Sequence, residues 1–156
     1  MKIRILTLGH KMPHWIHDVQ EEYLNRLPKE FSVELIEIKP EARAQNKTTE
    51  YILESEAKKI ISLLKKDNLT VVLDERGRSL NTLQLTQYIK AEEELGRNID
   101  FIIGSADGLH DSVKQLAQLM INISPFTLPH GMVRAILCEQ LYRCYTILQG
   151  HPYHRE

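Results

Sequence analysis

The feature that most constrains the fold is a regular alternation of strand patterns and helix patterns along the whole chain. Five short segments rich in apolar and β-branched residues are predicted to be strands: 2–9, 32–38, 69–74, 99–104 and 119–123. Between them, apolar residues recur at the spacing of amphipathic helices. This alternation predicts an α/β protein with a mostly parallel sheet and helices on both of its faces.

Prolines, glycines and capping residues mark where the helices begin and end. We expect helices over 15–27, from Thr48 or Thr49 onward, from Asn81 or Thr82 to about 95, from Asp111 or Ser112 to about 118, and over 132–149. The charged segment 39–47 is expected to be a mobile surface loop. Residues 75–79 are expected to be a turn that leaves the third strand.

Length and charge narrow the class of protein. A chain of 156 residues that is 42% hydrophobic and 26% charged predicts a single folded domain over 1–156. Its formal net charge is -1, so tight non-specific binding to nucleic acid is not expected, and any RNA contact needs a local patch, possible between subunits. The apolar runs are too short to span a membrane, and the amino terminus enters a strand pattern directly. Cys138 and Cys144 lie six residues apart in one helix, so we expect no disulfide and a cytoplasmic protein.

Three loops are predicted to meet at one edge of the sheet. They follow predicted strands at 73–77, 104–108 and 124–134. In the last of these, Pro125 and Pro129 exclude a helix or a central strand, so a rigid loop connects a strand to a helix amino terminus. Because ligands bind α/β proteins at the carboxyl ends of parallel strands, these loops predict a pocket, with ordinary turns as the alternative. The glycine motifs of dinucleotide and nucleoside-triphosphate sites are absent from the sequence.

Three further patterns admit two interpretations each. The tail 151–156 concentrates histidine, tyrosine and arginine, which suits RNA contact, although a polar disordered end has a similar composition. His10, His14 and His17 could hold a metal ion, but a solvated or RNA-facing helix start is favoured over a site. The last helix is apolar around most of its circumference, which favours a homodimer over the central helix of a monomer.

Several motifs together resemble one known family. Residues 9–13, 101–104, 127–130 (Thr-Leu-Pro-His), 139–143 and 151–156 resemble the bacterial large-subunit ribosomal RNA methyltransferases of the RlmH type, in the SPOUT class. The resemblance covers the full chain. It implies a C-terminal trefoil knot, a homodimer, S-adenosylmethionine as the methyl donor, and methylation of the N3 atom of a pseudouridine in 23S rRNA.

The resemblance also implies the site residues. The cofactor is expected to contact Leu73, Gly104, Ser105, Ser124, Pro125, Phe126, Thr127, Leu128 and Pro129. A second glycine is usual where Ser105 stands, so its Cβ is expected to crowd the cofactor or to shift the turn. Candidates for acting on the pseudouridine N3 proton are, by their chemistry, His130, His154 and Arg155. Candidates for RNA binding are Arg134, Arg143, Tyr153, His154 and Arg155.

We expect the protein to bind neither a metal ion nor a membrane. Two other functions stay open from the sequence. One is a non-catalytic, ribosome-associated RNA-binding protein, and the other is a metal-dependent hydrolase that uses the three amino-terminal histidines.

Overall fold

A single sheet of five parallel strands organises the computed structural model, which describes residues 1–9 and 11–155. The strands are β1 Lys2–Leu8, β2 Ser32–Ile38, β3 Leu69–Ser79, β4 Ile99–Ile103 and β5 Leu119–Asn122, in the spatial order β2-β1-β4-β3-β5. The helices are α1 His14–Leu24, α2 Thr49–Leu63, α3 Thr82–Glu94, α4 Asp111–Lys114 and α5 His130–Leu148, with a short 3₁₀ helix at Lys29–Phe31. The predicted α/β class with a parallel sheet is confirmed.

Both faces of the sheet are covered, as the continuous apolar strands require. One face packs on α3 and α5 through a core that includes Ile5, Phe101 and Leu137. The other face packs on α2 and α4 through a core that includes Leu6, Ile60 and Ile102, and α1 packs on α5. The sheet is therefore the middle layer, and its carboxyl edge is left free to carry loops.

Local signals set most helix starts as predicted. The Thr48 hydroxyl accepts a hydrogen bond from the Tyr51 N–H at 3.1 Å. Asn81 and Gln84 form a reciprocal capping box at the start of α3. Each cap satisfies backbone N–H groups that the first helical turn leaves without a partner.

The turn expected at 75–79 differs in the structure. β3 continues to Ser79, and both Leu73 and Arg78 align with Ile121 of β5, so the residues between them bulge out of the ladder and the chain then rejoins it. A Cβ on Gly77 would lie 2.4 Å from the Ile121 carbonyl carbon. Only glycine allows the rejoining strand to approach β5 this closely.

The fourth helix is shorter than expected. It ends at Lys114 instead of near residue 118, because a turn follows and Gln118, just before β5, is already bonded to β3. Its N–H donates to the Thr70 carbonyl at 2.9 Å, and its side-chain oxygen accepts from the Thr70 N–H at 2.7 Å. Cys138 and Cys144 are both buried and unbonded to each other, as predicted. Within the described part of the chain, no helix has the length and apolar character needed to cross a membrane.

Candidate active site

A cavity of about 600 Å³ opens at the carboxyl edge of the sheet. The three loops that were predicted to meet there do meet, and the first turn of α5 completes the wall. The lining residues are Leu73, Asp74, Glu75, Arg76, Ile103, Gly104, Ser105, Ala106, Asp107, Gly108, Leu109, Lys114, Asn122, Ile123, Ser124, Phe126, Thr127, Leu128, Pro129, His130 and Val133. The parallel topology explains this convergence, because it brings successive strand ends to one edge.

Eight of the nine residues expected to contact the cofactor line this cavity: Leu73, Gly104, Ser105, Ser124, Phe126, Thr127, Leu128 and Pro129. Pro125 does not, and it is exposed. Phe126 is 81% exposed. Its backbone N–H donates to the Ser124 hydroxyl at 2.9 Å. A side chain of the loop therefore bonds the loop's own backbone, and the aromatic ring of Phe126 stands at the surface.

The turn after β4 is narrow and depends on glycine. A Cβ on Gly104 would lie 2.6 Å from the Gly108 carbonyl oxygen, and the Gly108 N–H donates to the Ser105 carbonyl at 2.9 Å. The Ser105 hydroxyl donates to Glu56 Oε2 at 3.1 Å and accepts from Arg43 Nη2 at 3.0 Å. The structure thus turns this hydroxyl toward α2 and the loop before it. Crowding of a cofactor by Ser105 stays a prediction.

An ion pair on the cavity wall was not identified from the sequence. Lys114 Nζ lies 2.9 Å from Asp74 Oδ2, and the Arg76 N–H donates to Asp74 Oδ1 at 2.9 Å. Burial opposes ionisation of Asp74, but the Arg76 N–H and Lys114 together hold the pKa of this carboxyl below its ordinary value. Asp74 and Lys114 are 40 positions apart and are brought together only by the fold, so no local sequence pattern could have revealed their ion pair.

His130 is the first residue of α5 and lies between the cavity and the buried Arg134. Its Nε2 atom is 3.3 Å from Thr7 Oγ1 and 3.3 Å from Arg134 Nη2. Because a guanidinium only donates, Nε2 accepts and the ring proton lies on Nδ1. Burial and the adjacent Arg134 charge lower the pKa of His130, against hydrogen bonds with the backbone of Leu8 and Gly104. The imidazole is therefore neutral near pH 7, and its one acceptor is already used.

The structure contradicts the expectation that Arg134 contacts RNA. Its side chain is completely buried, with Nη1 at 3.0 Å from Glu37 Oε2 and Nη2 donating to the Gly9 carbonyl at 2.9 Å. It shares a helix face with the buried Leu137, Cys138 and Leu141, a spacing that could have indicated burial. Arg134 has no surface to offer an RNA phosphate and instead ties α5 to the ends of β1 and β2.

The carboxyl-terminal tail folds back onto its own chain. The Tyr153 hydroxyl donates to Glu139 Oε1 at 3.1 Å, and the Tyr153 ring packs edge-on against Tyr142 with centroids 4.9 Å apart. Arg143 Nη1 is 3.4 Å from His154 Nδ1, and the Arg143 guanidinium lies 4.7 Å from the Tyr153 ring centroid.

None of the tail residues 151–155, nor Arg143, lines the cavity. The cavity is at the start of α5 and the tail is at its end, and a 19-residue helix is about 28 Å long. The structure therefore separates the catalytic candidates. His130 lies at the cavity, whereas His154 and the exposed Arg155 lie at the far end of the helix.

The amino-terminal histidines form no recognisable metal centre in the described residues. Across 1–9 and 11–155, no group of three or more histidine, cysteine, aspartate or glutamate side chains is placed to hold a metal ion. His10, the third member of the cluster considered from the sequence, lies outside the described residues. Glu156, the last residue of the tail motif, does so too.

Comparison with known proteins gives consistent results. A family model described as "Predicted SPOUT methyltransferase" matches residues 1–154. The chain is 48% identical over 156 residues to the ribosomal RNA large subunit methyltransferase H of Methylobacillus flagellatus, covering all of both chains. It is 47% identical over 155 residues to the protein of the same name from Burkholderia mallei, covering 99% of each.

A solved structure of a probable methylase family protein from Haemophilus influenzae Rd KW20 is similar in fold. The TM-score is 0.58 at 14% sequence identity, and the match covers 99% of this chain and 70% of the other. At that identity the likeness supports the fold alone.

Proposed function

Because this chain belongs to the SPOUT methyltransferase family, within the group of the ribosomal RNA large subunit methyltransferases H, we propose that it methylates N3 of a pseudouridine in 23S rRNA, with S-adenosylmethionine as the donor. The observation that carries the proposal is the cavity built from three loops at the carboxyl edge of the sheet. Its position and its lining match what a methyl donor requires.

The lining suits S-adenosylmethionine. A cavity of about 600 Å³ is within the usual range of small-molecule sites, roughly 300–1,000 Å³. Leu73, Leu128 and Val133 offer apolar surface to an adenine ring, and the backbone of 124–129 offers hydrogen-bonding groups to its edge. When bound, the cofactor supplies a methyl group on a sulfonium sulfur, which is already activated for transfer. The protein then has to align the two reactants and exclude water.

We assign His130 a positioning role in this reaction. Its Nε2 atom is occupied by Thr7 and Arg134, so it is poorly placed to take the N3 proton from the base. Its ring instead joins the end of β1, the Gly104 turn and the start of α5. Of the three catalytic candidates, His154 and Arg155 are left to act on the base. A positive group there would stabilise the imide anion that forms when N3 loses its proton.

The tail can serve a cavity only if two copies of the chain assemble. In one chain the tail and the cavity are at opposite ends of α5, so we propose a homodimer in which the tail of one copy faces the cavity of the other. Several apolar residues of α5 are only partly buried within the chain, including Met132, Ile136 and Ile147, and these support a contact with a second copy. Tyr153 would then stack on the target base and Arg143 would hold a phosphate. A cytoplasmic location completes the proposal.

The test is a labelled methyl-transfer assay with three substrates: free 23S rRNA, isolated large subunits and assembled ribosomes. The proposal expects incorporation into 23S rRNA on at least one of them, and nucleoside mass spectrometry is expected to identify N3-methylpseudouridine. Calorimetry is expected to show that the full-length protein binds S-adenosylmethionine. A protein that binds large subunits but neither binds the cofactor nor transfers the label would instead be a non-catalytic RNA-binding protein.

A further inference from the structure

One guanidinium joins three separate segments beside the cavity. Arg43 lies in the loop 39–47 between β2 and α2. Its Nη1 atom donates to Glu56 Oε1 and to the Glu41 carbonyl, both at 2.8 Å. Its Nη2 atom donates to Ser105 Oγ at 3.0 Å and to Asp107 Oδ2 at 2.9 Å. The fork of the guanidinium therefore spans from α2 to the turn after β4.

Glu56 is the buried centre of this network. Its side chain is 1% exposed and lies on the face of α2 that also buries Ile52, Ala57 and Ile60. Its carboxylate accepts from Arg43, from the Ser105 hydroxyl at 3.1 Å and from the Glu41 N–H at 3.1 Å. An apolar side chain would suit this face equally well for packing, so the buried charge has another use.

The middle of the turn depends on these two residues. The turn is anchored at its two ends by the buried Ile103 and Leu109. Within the described chain, the side-chain hydrogen bonds of Ser105 and Asp107 all run to Arg43 or Glu56. Ala106 and Asp107 are otherwise exposed. Since residues 104–109 line the cavity, Arg43 and Glu56 hold the side chains of this wall, in addition to the backbone bond between Ser105 and Gly108.

The loop that carries Arg43 is itself held in place. Hydrogen bonds from Lys47, Ser55 and Lys59 to the Glu41 carboxylate lower the pKa of Glu41 to about 2. The segment 39–47 was expected to be a mobile loop, but these hydrogen bonds tie it to α2 independently of Arg43. Arg43 is presented to the turn from a fixed support.

We infer that Arg43 and Glu56 are positioning residues for the methyl donor, which hold the Ser105–Asp107 wall of the cavity in its binding shape. The inference rests on the proposed use of this cavity for S-adenosylmethionine. Arg43→Ala removes the side-chain partner of Asp107 and one of the two partners of Ser105, and it leaves the Glu56 charge without its ion-pair partner. We expect it to weaken donor binding about tenfold, raise the KM for the donor similarly and change kcat less than threefold. Glu56→Gln keeps the shape but not the charge and is expected to weaken binding about fivefold.

The experiment is calorimetry with S-adenosylmethionine on the full-length protein, followed by donor KM and kcat. Arg97→Ala is the matched control, because Arg97 is similarly exposed and pairs with Glu92, away from the cavity. Arg43→Lys keeps the charge without the fork, so it is expected to recover only part of the affinity. In a Ser105→Ala, Asp107→Ala background, which removes both acceptors, Arg43→Ala is expected to change affinity less than about twofold further.

The outcomes separate the two claims. A wild-type protein that does not bind the donor overturns the proposed function and this inference with it. Binding by the wild type, with Arg43→Ala and Arg97→Ala both within twofold of it, overturns the inference alone. An undiminished effect of Arg43→Ala in the double-variant background also overturns it, because the effect would then not pass through the turn. Should Glu56→Gln fail to fold, the Arg43 variants decide the question.

Discussion

At each end of α5 an arginine contacts a histidine and a glutamate, but the surroundings of the two groups are opposite. At the amino-terminal end, Arg134 is completely buried and contacts His130 and Glu37. Around it are strand ends and the cavity wall, and its contacts with Glu37 and the Gly9 carbonyl join α5 to the sheet. The histidine there is neutral, because burial and the arginine charge both disfavour its protonation.

At the carboxyl-terminal end, Arg143 contacts His154 and Glu139 with a quarter of its side chain exposed. Here the hydrogen bond with Glu139 raises the pKa of Arg143, and the Tyr153 ring gives the cation a flat surface. In the described part of the chain, the side-chain hydrogen bonds of Arg143 run only to the same helix or to the tail.

The difference teaches that residue type alone does not assign a role. An arginine, a histidine and a glutamate form a structural tie where the fold encloses them, and they form a surface suited to an anionic partner where it does not. Matched substitutions at the two ends should therefore change different measurements.

The largest effect is expected from Arg134→Ala compared with Arg143→Ala. Loss of Arg134 opens a cavity and leaves the Gly9 carbonyl and Glu37 without their partner, which should lower the free energy of unfolding by about 3 kcal/mol or more. Loss of the partly exposed Arg143 should cost less than about 1 kcal/mol. Urea denaturation followed by circular dichroism measures both. Equal losses would break the comparison.

The second-largest effect is expected on the rate of methyl transfer to RNA. Arg143→Ala and a deletion of residues 153–156 should each lower methyl transfer to RNA by about 100-fold or more, because they remove a phosphate contact and the groups expected to act on the base. Affinity for S-adenosylmethionine should stay within about twofold of the wild type, because neither Arg143 nor the described tail residues 153–155 line the cavity. Label incorporation and calorimetry measure the two quantities. A truncated protein with wild-type activity would remove the tail from the mechanism.

The same contrast separates the features of the molecule that the sequence could predict from those that it could not. Strand and helix periods, the caps at Thr48 and Asn81, and the meeting of three loops were all predictable, because each depends on neighbours in sequence or on the rule that parallel strands end at one edge. The trefoil knot has no such signature. Family membership implies it, whereas periodicity does not.

The roles that could not be predicted depend on pairs distant in sequence. Asp74 pairs with Lys114, and Arg43 reaches Ser105 across 62 positions. The position of the tail also required the fold, because a loop-like end can lie anywhere within its reach. Arg134 is the exception, since its helix face already placed it among buried residues.

A smaller effect is expected at the buried end when pH is varied. The pKa of His130 is lowered on folding, so the unfolded chain binds more protons below the ordinary histidine pKa of about 6.5. This group therefore contributes its full stability above that pH, and the contribution is lost as pH falls through about 6.5 toward the folded pKa. Denaturation midpoints between pH 7.5 and 5.5 (roughly the window that contains this transition) should decline less steeply in His130→Gln than in the wild type. His154→Gln is the control at the exposed end, and an equal flattening by both would contradict the assignment.

The smallest effect is expected from Tyr153→Phe. Burial and the neighbouring Tyr23 and Glu139 raise the pKa of Tyr153 above its ordinary value, so its hydroxyl stays protonated and donates to Glu139. Removing that hydroxyl should cost no more than about 1 kcal/mol and lower methyl transfer less than threefold, because the ring still packs on Tyr142 and under Arg143. Tyr153→Ala removes the ring and should lower transfer at least tenfold, measured in the same label assay. If Tyr153→Phe lowered methyl transfer as much as Tyr153→Ala, the hydroxyl would be the functional group. The carboxyl-terminal end of α5 would then act through the hydrogen bonds of Tyr153 instead of through its flat ring.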